Sequence, residues 1–103
     1  MAVMFAPAAA QDVEEIGDYI HAENPAAARR FIAALRDRCD RIANAPRGGV
    51  ARPALWPGLR SIAFQRYVIF YTPDGDEVRI ERILHGARDI PTILEGGEPS
   101  NDP

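Results

Sequence analysis

The spacing of apolar residues changes once along this chain, and that change limits the folds it can adopt. Up to Ile42 the apolar side chains recur three or four residues apart, as they do on one face of a helix. From Leu59 onward they alternate with polar ones, as they do along a strand. The segment between, "APRGGVARPALWPG", holds six prolines and glycines that oppose regular structure. A helical half followed by a strand half predicts the α+β class, with helices packed on one face of a sheet.

The helical half predicts two helices that form an antiparallel hairpin. In the first, over residues 8–22, Val13, Ile16 and Ile20 fall on one face. "ENP" then supplies Asn24 as an N-cap and Pro25 at the first position of a new helix. The second helix extends to about residue 45, and its apolar stripe consists of Phe31, Leu35, Cys39 and Ile42. A short strand is predicted before the first helix, over residues 2–6.

Three strands are predicted in the second half, over residues 59–65, 66–72 and 77–84. "PDGD" at residues 73–76 is typical of a hairpin turn. The predicted architecture is therefore a short N-terminal strand and a helical hairpin, packed on a three- to four-stranded antiparallel sheet. Residues 1–94 are predicted to form a single domain. The remaining segment, "EGGEPSNDP" at 95–103, is acidic and has nothing to bury, so we expect a disordered tail.

The charge is unevenly distributed along the chain. The 103 residues carry a net charge of −3, yet residues 28–66 hold nine arginines against only Asp37 and Asp40, a local charge of +7. All twelve basic residues are arginine. Because the guanidinium group binds carboxylates and phosphates in bidentate geometry, a basic face of this kind suits an acidic partner or a nucleic acid.

Several classes of protein are excluded by what the sequence lacks. A single cysteine, Cys39, excludes internal disulfides and metal sites with several thiolates, and its place in the apolar stripe indicates a core residue. No apolar run approaches the length of a membrane span. The first basic residue is Arg29, so the start lacks the charged region of a signal peptide. We expect a cytoplasmic protein without metal or cofactor.

The stretch "RILHGARDI" at the end of the last predicted strand concentrates charged residues. Strict alternation places Arg82 on one face with Val78, Ile80 and Leu84, where an unpaired charge would be costly. One interpretation is an internal ion pair, for which Asp89 is the candidate partner. The other is an exposed cationic cluster of Arg60, Arg82 and Arg88.

A catalytic role for this stretch requires more than the sequence provides. A metal-independent ribonuclease needs a base, an acid and cations for the developing phosphate charge. Tyr67, Glu81 and His85 are nominal candidates beside the arginines. The sequence holds no catalytic pair of carboxylates, Cys/His spacing, nucleophile elbow or phosphate-binding loop, so no catalytic residue is predicted.

Two features suggest surfaces for binding a partner. Trp56 in "LWPGLRS" is either a hydrophobic lid on the sheet or an anchor in an interface, since aromatic residues and arginine concentrate binding energy. Alanines at 26–28, 33 and 34 leave shallow grooves on the second helix where another helix can lie.

Four elements in order, "NPAAARRF", "PGLRS", "YVIFY" and "VRIERILHGARD", resemble ParE toxins of the RelE/ParE superfamily. The resemblance extends over residues 5–94 and implies a helical hairpin packed on an antiparallel sheet. It implies the toxin of a type II toxin–antitoxin module. RelE-like members cut messenger RNA on the ribosome, whereas ParE-like members inhibit DNA gyrase. This chain has no lysine and neither tyrosine nor histidine after His85, and it is net negative, so the resemblance favours a gyrase-binding toxin that is not an enzyme.

The resemblance also implies a partner and sites of contact. The expected partner is a ParD-like ribbon-helix-helix antitoxin with an acidic C-terminal segment, through which alone this protein would reach DNA. The residues expected to contact the antitoxin are Ile16, Tyr19, Arg29, Arg36 and Trp56. Those expected to contact gyrase are Arg60, Arg82, His85 and Arg88. Two alternatives remain open: a ribosome-dependent ribonuclease, and a domain that has lost toxicity and only binds its antitoxin or regulates its operon.

Overall fold

A computed structural model of the chain describes the backbone of residues 2–97 and the side chains of residues 3–94. It contains three helices and five strands in the described residues. In chain order these are β1 (Ala2–Phe5), α1 (Pro7–Glu23), α2 (Pro25–Asn44), β2 (Val50–Ala51), β3 (Arg60–Phe64), β4 (Tyr67–Asp74), β5 (Glu77–His85) and α3 (Ile90–Gly97).

The predicted helical hairpin is confirmed. A single residue, Asn24, separates α1 from α2, and its extended backbone forces the chain to reverse there. The Asn24 side chain accepts a hydrogen bond from the N–H of Ala27 at 3.1 Å, and Pro25 occupies the first helical position. Both features satisfy or remove N–H groups that have no partner within the helix.

The five strands form one sheet in the order β1-β5-β4-β3-β2. β3, β4 and β5 pair antiparallel in sequence order, as predicted, and β2 pairs antiparallel with β3. β1 instead pairs parallel with β5, from Ala2 opposite Glu77 to Phe5 opposite Ile80. The α+β class is confirmed, but the sheet is mixed and larger than predicted. The two-residue β2 lies within the segment rich in proline and glycine, where no strand was predicted.

A bulge in β5 changes which face its residues occupy. Phe70 pairs with Arg82 and Tyr71 pairs with Ile80, which leaves Glu81 without an opposing residue on β4. The extra residue reverses the alternation, so odd-numbered positions face the helices after the bulge. The residues of β5 in the core beneath the helices are Val78, Ile80 and Ile83. The prediction that Arg82 and Leu84 share a face with Val78 is therefore wrong.

Apolar side chains are buried on both faces of the sheet. The core between the sheet and α1–α2 includes Phe31, Leu35, Ile42, Ile69 and Tyr71. The opposite face is covered by α3, with a second cluster formed by Leu59, Phe70, Leu84 and Leu94. We had not predicted α3, which continues to Gly97, three residues into the predicted tail. The rest of that tail, residues 98–103, lies outside the described residues. None of the described helices is long and apolar enough to cross a membrane.

Candidate functional site: an apolar groove on the helical hairpin

An open groove of about 440 Å³ lies between β1 and the two helices of the hairpin. We call it the hairpin groove. Its lining is mostly apolar, with charged side chains from α2 only: Val3, Phe5, Ala10, Val13, Ile32, Leu35, Arg36, Cys39 and Asp40. Phe5 is 38% exposed and the adjacent Met4 is 50% exposed. Large exposed apolar side chains beside a groove are typical of a surface that binds a partner.

The hairpin groove continues along the helices into a shallower depression. Ile32 and Arg36 line both. The depression exists because Gly17 has no side chain, since a Cβ there would lie 3.7 Å from Cδ1 of Ile32 and fill the gap between the helices. Arg29 lies in the same depression. The structure thus brings together two of the residues predicted to contact an antitoxin, Arg29 and Arg36, on one continuous surface.

The two arginines of this surface, Arg29 and Arg36, are exposed, and neither forms an ion pair with a described carboxylate. Two carboxylates, Asp18 and Asp40, also line the surface and are not held in ion pairs with described residues. The ion pair on α2 joins Arg41 to Asp37 at 3.4 Å, away from the groove lining. An apolar floor with arginines at its rim suits an amphipathic segment that has apolar anchors and acidic side chains.

Cys39 lies at the floor of the hairpin groove and is only 1% exposed. Burial, and to a smaller extent the nearby carboxylate of Asp40, raise the pKa of its thiol to about 11. The thiol is therefore protonated near neutral pH and is a poor nucleophile. Its role in the described structure is packing, as predicted from the sequence.

Arg82 does form an internal ion pair, but its partner is Asp12 of α1. The guanidinium donates to both carboxylate oxygens, with Nε–Oδ2 at 2.8 Å and Nη2–Oδ1 at 2.9 Å. The backbone N–H of Ile83 also donates to Oδ2, at 2.9 Å. The hydrogen bond to Asp12 raises the pKa of Arg82 above its ordinary value. The predicted pairing with Asp89 is wrong, because that carboxylate accepts from the Thr92 hydroxyl at the start of α3.

A second, smaller hollow of about 190 Å³ lies where β5 ends against α1. We call it the strand-end hollow, and its lining includes Ile16, Tyr19, Tyr67, His85 and Arg88. Nδ1 of His85 accepts from the N–H of Ala87 at 3.1 Å, and the ring stands edge-to-face on Tyr67 at 5.4 Å.

The nominal ribonuclease residues are not assembled into one site. Glu81 is 6% exposed, and its carboxylate is held by Thr72 at 2.6 Å and by Arg79 at 3.2 Å. It does not line the strand-end hollow that contains Tyr67 and His85. The carboxylates that line this hollow are instead Asp12, which is paired with Arg82, and Glu15, which accepts a hydrogen bond from Gln11.

The remaining predicted residues lie outside the hairpin groove. Trp56 is half-buried and packs against the cluster on the far face of the sheet. Arg60 lies at the other edge of the sheet, on β3, and donates to the backbone carbonyls of Arg47 and Gly49. Ile16 and Tyr19 lie in the strand-end hollow beside His85 and Arg88, not in the hairpin groove. The predicted antitoxin residues thus occupy three separate surfaces, and their assignment stays a prediction.

Sequence reasoning missed the apolar residues that line the hairpin groove. Val3 and Phe5 come from β1, whose position at the sheet edge depends on pairing with a strand about 75 residues away. Ile32 carries a signal that was available. It is apolar but lies beside the stripe defined by Phe31 and Leu35, so it widens the apolar face of α2 towards α1.

Comparison with known proteins identifies relatives of this sequence and fold. The family model described as "ParE toxin of type II toxin-antitoxin system, parDE" matches residues 3–90. No curated protein matches. A solved structure from P. aeruginosa, described as a chromosomal ParDE TA system, superposes with a TM-score of 0.70 at 22% identity. That match covers 82% of this chain and 95% of the other. At this identity the likeness supports the fold alone.

Proposed function

Because the chain belongs to the family of ParE toxins of type II toxin–antitoxin systems, we propose that a ParD-like antitoxin neutralises it by occupying the hairpin groove. We further propose that the free protein inhibits DNA gyrase by binding and not by catalysis. The observation that carries the first proposal is the continuous surface on which exposed arginines flank an apolar groove. The protein would meet both the antitoxin and gyrase in the cytoplasm.

The antitoxin segment suited to this groove is amphipathic and acidic. Its apolar side chains would enter between Val13 and Ile32, while its carboxylates would face Arg29 and Arg36. A helix is the natural form for such a segment, because anchors spaced three to four residues apart follow the direction of the hairpin. The ribbon-helix-helix part of a ParD-like protein would remain free to bind DNA.

Inhibition by binding is supported by the state of the residues that a ribonuclease would need. Arg82 is neutralised by Asp12, and Glu81 is committed to Thr72 and Arg79. We propose that gyrase is contacted through Arg60, Arg82, His85 and Arg88. Among these Arg88 is the residue to test first, since it is exposed and forms no ion pair with a described carboxylate.

The test is DNA supercoiling by purified gyrase with rising concentrations of this protein. We expect supercoiling to fall, cleaved DNA to accumulate, and added antitoxin to restore activity. Arg88→Glu should weaken inhibition of gyrase. The control is Arg66→Glu, which makes the same charge change on an exposed turn outside the strand-end hollow and should leave inhibition unchanged.

Two results would contradict the proposal. Normal supercoiling at every concentration, together with messenger RNA cleaved only when ribosomes are present, would assign the protein to the ribonucleases. Normal supercoiling with no effect on growth, but tight binding of the antitoxin, would indicate a domain that has lost toxicity.

A further inference from the structure

The edge of the sheet opposite the hairpin groove carries a second concentration of unpaired arginines. We call this surface, formed by Arg47, Val50, Arg52 and Arg60, the arginine edge. From Arg41 to Pro73 the sequence contains five arginines and no acidic residue. None of the three arginines of the surface forms an ion pair with a described carboxylate. The charge of this edge is therefore uncompensated within the described part of the chain.

The arginine edge is held in a fixed shape by a buried tyrosine. The side chain of Tyr71 is fully buried; its hydroxyl donates to the carbonyl of Pro46 at 2.8 Å and accepts from the N–H of Gly49 at 2.9 Å. A Cβ at Gly49 would lie 2.5 Å from that hydroxyl and 2.9 Å from the carbonyl of Ser61, so the loop passes too close for any side chain. Such preorganisation reduces the entropy lost when a partner binds.

The guanidinium groups stand on the two faces of the same sheet edge. Nη1 of Arg60 donates to the carbonyl of Gly49 at 2.7 Å, which fixes its position. Nε of Arg52 donates to the hydroxyl of Ser61 at 2.8 Å. Because Arg60 and Ser61 are neighbours on β3, their side chains point to opposite faces, and so do the two guanidinium groups.

The strand between these groups is free on one side. β2 pairs with β3 but has no strand on its outer side among the described residues, and Val50 is 58% exposed. A hollow of about 220 Å³ beside it is lined by Arg47 and Arg60 with small and apolar residues, and by no acid. An unpaired strand edge accepts an extended peptide through main-chain hydrogen bonds.

We propose that the arginine edge binds an acidic, extended polypeptide segment of a partner protein, which lies along β2. Side chains of an extended segment alternate between the two faces, so acidic groups on both faces would meet Arg60 with Arg47 on one face and Arg52 on the other. A polypeptide fits better than a nucleic acid, because a phosphate backbone offers no strand to pair with β2.

This inference goes beyond the proposed antitoxin and gyrase contacts. β2 and β1 are the two outer strands, four strand spacings apart, which is roughly 19 Å. A segment in the hairpin groove therefore leaves the arginine edge open, and both can be occupied together. Only Arg60 is shared with the residues proposed to contact gyrase, so the test relies on Arg47 and Arg52.

The experiment measures binding of a fluorescent ten-residue peptide in which pairs of glutamates alternate with pairs of threonines, by polarisation at low salt. This spacing places glutamates on both faces of an extended chain. Arg47→Glu combined with Arg52→Glu should weaken binding at least about tenfold. The matched control is Arg29→Glu combined with Arg36→Glu, in the depression that continues the hairpin groove. It should change the affinity for the peptide less than about twofold. The reverse pattern would assign the acidic segment to the helices and overturn the proposal.

Two further probes test the chemistry of the partner. A peptide with lysine in place of each glutamate should not bind, and equal binding of the two peptides would overturn the role of charge. N-methylation along the acidic peptide removes its N–H donors, so it should abolish binding. Undiminished binding would contradict the pairing with β2. If a ten-nucleotide single-stranded DNA binds more tightly than the acidic peptide, the partner is a nucleic acid and the proposal is overturned.

Discussion

Asp12 and Arg82 form a bidentate ion pair that joins α1 to β5 across 70 positions of sequence. The pair lies just past the point where β1 ends opposite Ile80, so that edge of β5 would otherwise be open. There the same carboxylate accepts from the N–H of Ile83. One side chain thus completes the hydrogen bonding of the strand edge and neutralises the arginine, which fixes the helix against the sheet.

Replacing Asp12 should destabilise the protein more than replacing an exposed carboxylate of α1. Asp12→Asn keeps the size of the side chain but leaves the largely buried Arg82 charge without its counterion. We expect the free energy of unfolding to fall by about 3 kcal/mol, measured by urea denaturation. Glu14→Gln, an exposed neighbour on the same helix, should cost less than about 0.5 kcal/mol. Equal losses for the two variants would contradict the structural role of the pair.

Removing the Tyr71 hydroxyl should loosen the loop that carries Arg47. Tyr71→Phe leaves the N–H of Gly49 and the carbonyl of Pro46 without their partner. We expect a loss of about 2 kcal/mol in unfolding free energy and faster amide hydrogen exchange at Gly49. Tyr19→Phe removes a hydroxyl from a side chain that is 70% exposed and should have no effect on either measurement. Unchanged exchange at Gly49 in the Tyr71 variant would contradict this prediction.

A charge placed in the hairpin groove should weaken antitoxin binding. Ile32→Glu puts a carboxylate where the proposed segment inserts apolar side chains, so we expect at least about a tenfold loss of affinity by calorimetry. Ala34→Glu adds the same charge to the same helix on a different face and serves as the control. Similar affinities for both variants would place the antitoxin elsewhere. Circular dichroism of each variant establishes that the fold is retained.

Stability should depend on the ionisation of Cys39 above pH 9. Burial raises the pKa of this thiol from 9.0 to about 11, so the folded protein keeps a proton that the unfolded chain releases. The contribution to stability is complete below pH 9 and is lost as the pH rises towards 11. Between pH 8 and 10.5 we expect a loss of about 2 kcal/mol in unfolding free energy.

The control for this effect is Cys39→Ala, which is less stable at every pH but lacks the titrating group. Subtracting its pH dependence from that of the unmodified protein removes the contribution of tyrosines that titrate in the same range. No difference between the two curves would show that the thiol ionises equally in the folded and unfolded states.

The elements that sequence predicted correctly are those specified by local chemistry. Asn24 and Pro25 start α2 through an N-cap and a fixed φ, and both act within one helical turn. The turn between β4 and β5 depends on Gly75, which has a positive φ of 61°. Because such signals involve neighbouring residues only, the two helices of the hairpin and the three central strands could be predicted from the sequence.

The features that were missed depend on contacts between distant residues. Nothing local links Asp12 to Arg82, and the presence of Asp89 in the same charged stretch misled the assignment. The bulge at Glu81 is set by pairing with β4, so strict alternation placed residues beyond it on the wrong face. Helix α3 is eight residues long and contains Pro91 and two glycines, and it is fixed by burying Leu94 against the far face of the sheet. The hairpin groove was missed for the same reason, since β1 forms one wall.

The parallel pairing of β1 with β5 determines when the hairpin groove can be completed during synthesis of the chain. β1 leaves the ribosome before its partner, residues 77–80, has been synthesised. The helical hairpin can form early from local contacts, but the β1 wall of its groove cannot be completed until residues 77–80 have emerged. A nascent chain that has not reached this point therefore lacks the finished groove, and recognition that depends on the groove can begin only afterwards.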